Sequence, residues 1–164
     1  MYLSARKYVS DYAYENGKGS FEIGNILESV GLDRSDLSEE CPSATVSINI
    51  AYWRKANAIH NWFIENVADG LDDCQPVEVS REELQDLCYD IKEVLKVRDM
   101  QEANPDEALP TPEDILPTAS GFFFGGTEYD EYYWEYLEST LDRLRSILGN
   151  PTFEDFDFEY RASW

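Results

Sequence analysis

Hydrophobic and polar positions along this chain follow two periods, and each period predicts an element. Val46, Ile48 and Ile50 alternate with Thr45, Ser47 and Asn49, the period-two pattern of a half-buried strand. That strand leads near Tyr52 straight into a helix, because Trp53, Ala56, His60, Phe63 and Val67 recur at helical spacing and Gly70 ends the run. The clearest helix starts at Ser80. Ser80 followed by Glu83 is a capping box, and Leu84, Leu87, Cys88, Ile91, Val94 and Leu95 line one side until the pattern ends near Val97. A last long helix is predicted from a Thr127 cap to about Leu148, with Asp130 placed to answer the cap and Gly149 and Pro151 beyond the end. Phe156, Phe158 and Tyr160 then alternate with Asp157, Glu159 and Arg161, an amphipathic strand of the kind found at a sheet edge.

The stretches between these elements are less regular. Tyr2, Tyr8, Tyr12 and Tyr14 suit a first strand or a docking arm. Ser20 can cap a short helix that places Ile23, Ile26, Leu27 and Val30 on one side, with Gly31 in the left-handed conformation that ends helices. Residues 33–43 and 69–79 are polar and acidic and read as loops. Pro105, Pro110, Pro112 and Pro117 exclude a continuous helix over 101–118. The aromatics of Gly121–Gly126 suggest a short buried strand. Together these elements predict one α+β domain over 1–164, with three main helices packed on a small, mainly antiparallel sheet and a Pro-rich loop at 101–118.

Charge changes the picture. The chain carries 34 Asp+Glu against 13 Lys+Arg, a net charge of -21 over 164 residues. Residues 1–64 hold 8 acids and 6 bases, residues 65–100 hold 11 and 4, and residues 101–164 hold 15 and 3. The nearly neutral N-terminal part therefore precedes a strong anionic field, which repels nucleic acid and anionic membranes and attracts basic surfaces. The aromatic content (14%) argues for a folded chain, because disordered acidic chains are poor in aromatics. No run reaches the ~20 apolar residues of a membrane span, and the first residues lack a secretory apolar stretch. A soluble, cytoplasmic protein is expected, and three cysteines (Cys41, Cys74, Cys88) with no metal-motif spacing agree with a reducing compartment.

At 100° per residue the acids of two helices fall into stripes. Glu128, Glu131, Glu135, Glu138 and Asp142 share one side of the last helix, opposite Tyr133, Tyr136, Leu137, Leu144 and Ile147. Glu82, Asp86, Asp90 and Glu93 do the same on the Ser80 helix. Neighbouring acids sit about 5 Å apart along the axis, not far from the about 6–7 Å between phosphates on one DNA strand. Three readings follow. The stripes are solvated faces of a very acidic protein, they occupy a nucleic-acid-binding groove on a basic partner, or, least favoured, they bind a metal or other cation. Direct nucleic-acid binding is not expected.

The segment Tyr52–Phe63 holds four large aromatics, Arg54, Lys55 and the only histidine, and Arg54, Asn57 and Asn61 share a polar face. That face suits an anion, or internal ion pairs with the acidic helices, which is the favoured role. His60 lies on the apolar stripe, where a hydrogen-bonded core histidine is the ordinary outcome; a general base would need a partner that the sequence does not supply. An alternative site is a pocket between the Trp53–Phe63 helix and the Gly121–Thr127 turn, lined by Arg54, His60, Glu128 and Asp130. No metal site or cofactor is expected, because calcium-loop, P-loop and dinucleotide patterns are missing.

The blocks AYWRKANAIHNWF and LPTASGFFFGGTEYDEYYWE resemble the two motif blocks of a family of small acidic proteins of unassigned activity, encoded by phages and other mobile elements. The resemblance spans roughly 46–148. It implies a phage accessory protein acting in the cytoplasm of a bacterial host, and it transfers no functional residue. With no catalytic signature, binding is expected over catalysis. The partner expected is a basic host protein, such as a DNA-binding or defence nuclease inhibited by a nucleic-acid-mimicking decoy.

Overall fold

The computed structural model describes residues 1–10, 23–37, 42–120 and 126–163. In chain order they form β1 (Tyr2–Ser10), α1 (Ile23–Ser29), a 3-10 turn (Arg34–Asp36), β2 (Ser43–Tyr52), α2 (Asn57–Asn66), β3 (Val77–Val79), α3 (Arg81–Ala103), α4 (Pro112–Ile115), α5 (Glu131–Leu148), a second 3-10 turn (Pro151–Phe153) and β4 (Asp157–Arg161). The strands form a four-stranded antiparallel sheet in the order β2-β1-β4-β3. With the main helices α2, α3 and α5, the fold is α+β, as the two periods predict.

Two compact units are distinguished. The smaller, Arg6–Ile48, contains the second half of β1, α1, the first 3-10 turn and most of β2. Val9, Ile23 and Leu27 are among its buried apolar residues. The α1 helix ends as the sequence predicts: Gly31 has φ +76°, and the amide of Leu32 reaches back to the Leu27 carbonyl at 2.9 Å. The expected Ser20 cap lies outside the described residues. In β2, Val46 is half-buried but Ile48 is 51% exposed, so the expected alternation holds only in part.

The larger unit, Met1–Ala5 with Asn49–Trp164, holds the main core. Leu84, Leu87, Ile91 and Val94 of α3 meet Leu137, Leu141, Leu144 and Ile147 of α5, with Ile59, Trp62 and Phe63 of α2 and Leu3, Phe158 and Tyr160 of the sheet. Each such fully buried side chain contributes about 1.5–3 kcal/mol of hydrophobic stabilisation. Phe63 and Tyr160 stack face to face, with ring centroids 4.0 Å apart and planes 10° from parallel. The Ser80 capping box forms as predicted: the Ser80 amide donates to Glu83 at 2.6 Å and the Glu83 amide to the Ser80 hydroxyl at 3.1 Å.

Several boundaries differ from the sequence reading, each for a local reason. The strand does not run straight into α2. Trp53 still pairs its amide with the Met1 carbonyl at 3.0 Å, and Lys55 then turns the chain at φ 62° before the helix starts at Asn57. Residues 69–79 are not all loop, because Val77–Val79 pairs antiparallel with β4 in the register Val77↔Tyr160, Glu78↔Glu159, Val79↔Phe158. This added strand makes β4 an interior strand rather than the expected edge. The α3 helix runs on past Val97 to Ala103, and the Pro-rich stretch holds the short α4, where Pro112 occupies a first-turn position that needs no amide. The α5 helix is capped by Asp130 rather than Thr127. The Asp130 carboxylate accepts from the Tyr133 amide at 3.2 Å, while the Thr127 carbonyl accepts from the Thr118 hydroxyl at 2.9 Å. Gly121–Gly125 lie outside the described residues, so the expected short strand there does as well.

Candidate functional site

The later start of α5 divides its predicted acidic stripe. Glu131, Glu135, Glu138 and Asp142 are all exposed on the helix, whereas Glu128 precedes it. Glu138 is engaged: it accepts from Arg98 of α3 at 2.7 Å, and the Arg98 guanidinium lies over the Trp134 ring at 5.4 Å. Among the described residues the side chains of Glu131, Glu135 and Asp142 make no hydrogen bond or ion pair. On α3, Glu82 and Asp86 are exposed, but the other two stripe residues are used internally. Asp90 accepts from the Trp62 indole at 2.8 Å, and Glu93 pairs with Lys96 at 3.4 Å. Exposed acids without a partner among the described residues thus lie on both large helices, Glu82, Asp86 and Glu102 on α3 and Glu131, Glu135 and Asp142 on α5.

A cleft of about 390 Å³ opens where the start of α2 meets the start of α5. Its lining includes Lys55, Asn57, Thr118, Glu128, Asp130, Tyr132 and Tyr136 over an apolar floor of Ala58, Ile59 and Leu137. Two local features build it. The α2 helix begins behind Ala56, which supplies no side-chain cap, so the first-turn amides of Asn57, Ala58 and Ile59 have neither a helical carbonyl nor a capping oxygen. The Asp130 cap brings Tyr132, Tyr133 and Tyr136 to the same end of α5. Tyr133 is buried and donates to the Leu116 carbonyl at 2.9 Å, which fastens the Pro-rich segment to the helix; burial pushes its phenol well above its usual range. Asn57 is 5% exposed and its amide nitrogen donates to the Gly126 carbonyl, while its own carbonyl oxygen has no partner among the described residues.

Of the four residues expected in such a pocket, the structure brings Glu128 and Asp130 into the lining. Arg54 instead lines an adjoining open groove with Tyr52, Trp53, Lys55, Tyr136 and Ser139. Neither Arg54 nor Lys55 makes a side-chain ion pair or hydrogen bond among the described residues, so the expected internal pairing of these bases is not found. The Arg54–Asn57–Asn61 polar face also dissolves: Arg54 precedes the helix, Asn57 is buried, and Asn61 donates to the Pro117 carbonyl at 3.3 Å.

His60 is not among the cleft's lining residues. It is buried, with Nδ1 2.7 Å from Tyr160 Oη and Nε2 3.2 Å from Asp72 Oδ2. A carboxylate only accepts, so in the neutral ring Nε2 carries the proton and Nδ1 accepts from the tyrosine hydroxyl. Burial lowers the His60 pKa, and the hydrogen bond and charge of Asp72 oppose that shift without reversing it. Both ring nitrogens are spoken for, which is the core-histidine outcome.

The sequence reading missed Lys55, Thr118 and the tyrosines as cleft residues. The one signal for the tyrosines is the spacing of Tyr132 and Tyr136, which places both on one side of a helix. Among the described residues no group of acids, histidines or cysteines is arranged to hold a metal, and no helix is long and apolar enough to cross a membrane. No family model, no curated protein and no solved structure matches the chain.

Proposed function

We propose that this protein works by binding a basic protein partner on the exposed face of α5. The observation that carries the reading is the row Glu131, Glu135 and Asp142, exposed and without ion pairs among the described residues, on a helix held to α3 by core packing and by the Arg98–Glu138 pair. Unpaired carboxylates on a rigid helix give the kind of regular negative surface that a nucleic-acid-binding groove accepts. In this reading the chain is a phage-type accessory protein of the host cytoplasm, acting as a nucleic-acid-mimicking decoy against a DNA-binding or defence nuclease. The test is capture of partners from bacterial lysate by the tagged protein, with elution along a salt gradient. The Glu131→Lys, Glu135→Lys, Asp142→Lys triple variant keeps Glu138 and its partner, so it should fold and lose a partner that the wild type releases at moderate salt. Equal capture by the two proteins, or no salt-sensitive partner at all, removes the reading.

A second reading rests on the cleft. Its volume lies in the range of small-ligand sites, and it combines an apolar floor with a few convergent polar groups. A small-molecule-binding domain is the function that geometry supports.

A further inference from the structure

The two outermost strands of the sheet are built differently. β3 is three residues long and carries Glu78; short length and charge are ordinary means of keeping a strand edge from pairing with another chain. β2 has neither. Its ten residues, SATVSINIAY, contain no charge, no proline and no glycine, in a chain where 29% of residues are charged. Thr45, Val46, Ile48 and Ile50 are β-branched and favour the extended backbone. Among the described residues β1 is the one strand beside β2, so the outer side of β2 presents a row of amides and carbonyls with no strand across from it. Within the smaller unit, Ser43, Thr45, Ser47 and Ile48 of this strand are exposed.

The smaller unit also leaves apolar side chains outside. Among its described residues Tyr8, Val30, Leu32 and Ile48 are 44–64% exposed, whereas Val9, Ile23 and Leu27 are buried. Apolar surface left out in this proportion marks a surface that another chain covers. Charge selects that chain. An uncharged strand offers a basic partner no electrostatic gain. Two copies of a chain of net charge -21 repel each other over most of their surface, and residues 1–64, with 8 acids and 6 bases, are where that repulsion is least. An antiparallel strand pair is also self-complementary: across a two-fold axis each strand donates and accepts the same bonds. Threonine and serine hydroxyls on both strands add cross-strand hydrogen bonds.

We propose that β2 pairs antiparallel with β2 of a second copy over Ser43–Ile48, joining the two four-stranded sheets edge to edge. This contact is independent of the acidic face of α5 and answers oppositely to salt. Screening lowers the repulsion between two acidic copies and tightens their pairing, while it weakens the capture of a basic partner.

The experiment is sedimentation velocity on the full chain over a concentration series, at about 50 mM and about 500 mM salt. A reversible equilibrium between the 18.9 kDa monomer and a dimer is expected, at least tenfold tighter at the higher salt. The Thr45→Lys, Ser47→Lys double variant puts charge on two exposed positions of the edge, the device by which natural edges stay unpaired. It should weaken dimerisation at least tenfold and leave the thermal melting of the dilute monomer unchanged. Hydrogen exchange on the wild type supplies a reading that needs no variant: amides within Ser43–Ile48 should exchange more slowly at concentrations where the dimer dominates, and those of Val77–Val79 should not change. If the variant melts early, the exchange measurement decides. A chain that stays monomeric throughout overturns the proposal and points to a strand of another protein. A dimer that a folded double variant leaves intact, or protection that rises elsewhere and not in β2, overturns it as well.

Discussion

The hydroxyl of Tyr160 lies 2.7 Å from Nδ1 of His60, and the same tyrosine ring stacks on Phe63 one helical turn beyond the histidine. This contact ties β4 to α2 at the centre of the larger unit, and Asp72 extends it to the loop before β3. Replacing Tyr160 by Phe keeps the stack and removes the donor. Nδ1 of a buried neutral histidine is then unsatisfied, and the expected cost is about 1–3 kcal/mol in urea denaturation. A cost near zero would show that water replaces the hydroxyl.

The same histidine sets a pH dependence. Its folded pKa lies below the unfolded value of about 6.5. On acidification the unfolded chain therefore takes up the proton first, so the contribution is complete above the unfolded value and is lost as pH falls from there toward the folded one. The 34 carboxylates also titrate at lower pH, so the useful quantity is a difference between two proteins. Wild type should lose its stability advantage over His60→Asn between pH 7.5 and 5.5. A constant difference across that window would overturn the assignment of a neutral buried ring.

Glu78 stands directly across the β3–β4 ladder from Glu159. Like charges in that position are destabilising, and opposite charges contribute about 0.2–1 kcal/mol. Glu78→Lys should therefore raise the melting temperature, most clearly at low salt, with the gain shrinking as salt screens the pair. An unchanged or lower melting temperature would show that repulsion between Glu78 and Glu159 does not limit stability.

Arg81 clamps the end of α5 from the start of α3. Its guanidinium donates to the Leu148 carbonyl at 3.0 Å and to the Phe153 carbonyl at 2.9 Å, and it lies over the Phe158 ring at 5.8 Å. Lysine cannot make the forked pair of bonds, so Arg81→Lys should cost about 1–2 kcal/mol and raise amide exchange in the last turn of α5. Loss of stability without faster exchange there would place the role of Arg81 in packing.

Local chemistry determined much of this protein directly. The Ser80 box, the heptad-like apolar side of α3, the left-handed Gly31 and the alternation of β4 are each properties of a few consecutive residues, so each was legible in the chain. So was the acidic side of α5, because helical spacing alone places Glu131, Glu135, Glu138 and Asp142 together. Tertiary structure decided the rest. Val77–Val79 is too short to declare itself, and it is a strand because β4 supplies its hydrogen bonds. Asp130 displaces Thr127 as the cap because the Thr127 carbonyl is drawn to Thr118, and that moves Glu128 off the helix and into the cleft. His60 leaves the expected pocket because Tyr160, a hundred residues along the chain, and Asp72 satisfy both its nitrogens. Periodicity reports which face of an element is apolar. Which polar groups meet on the other faces depends on partners brought together from distant parts of the chain, and no local pattern records that.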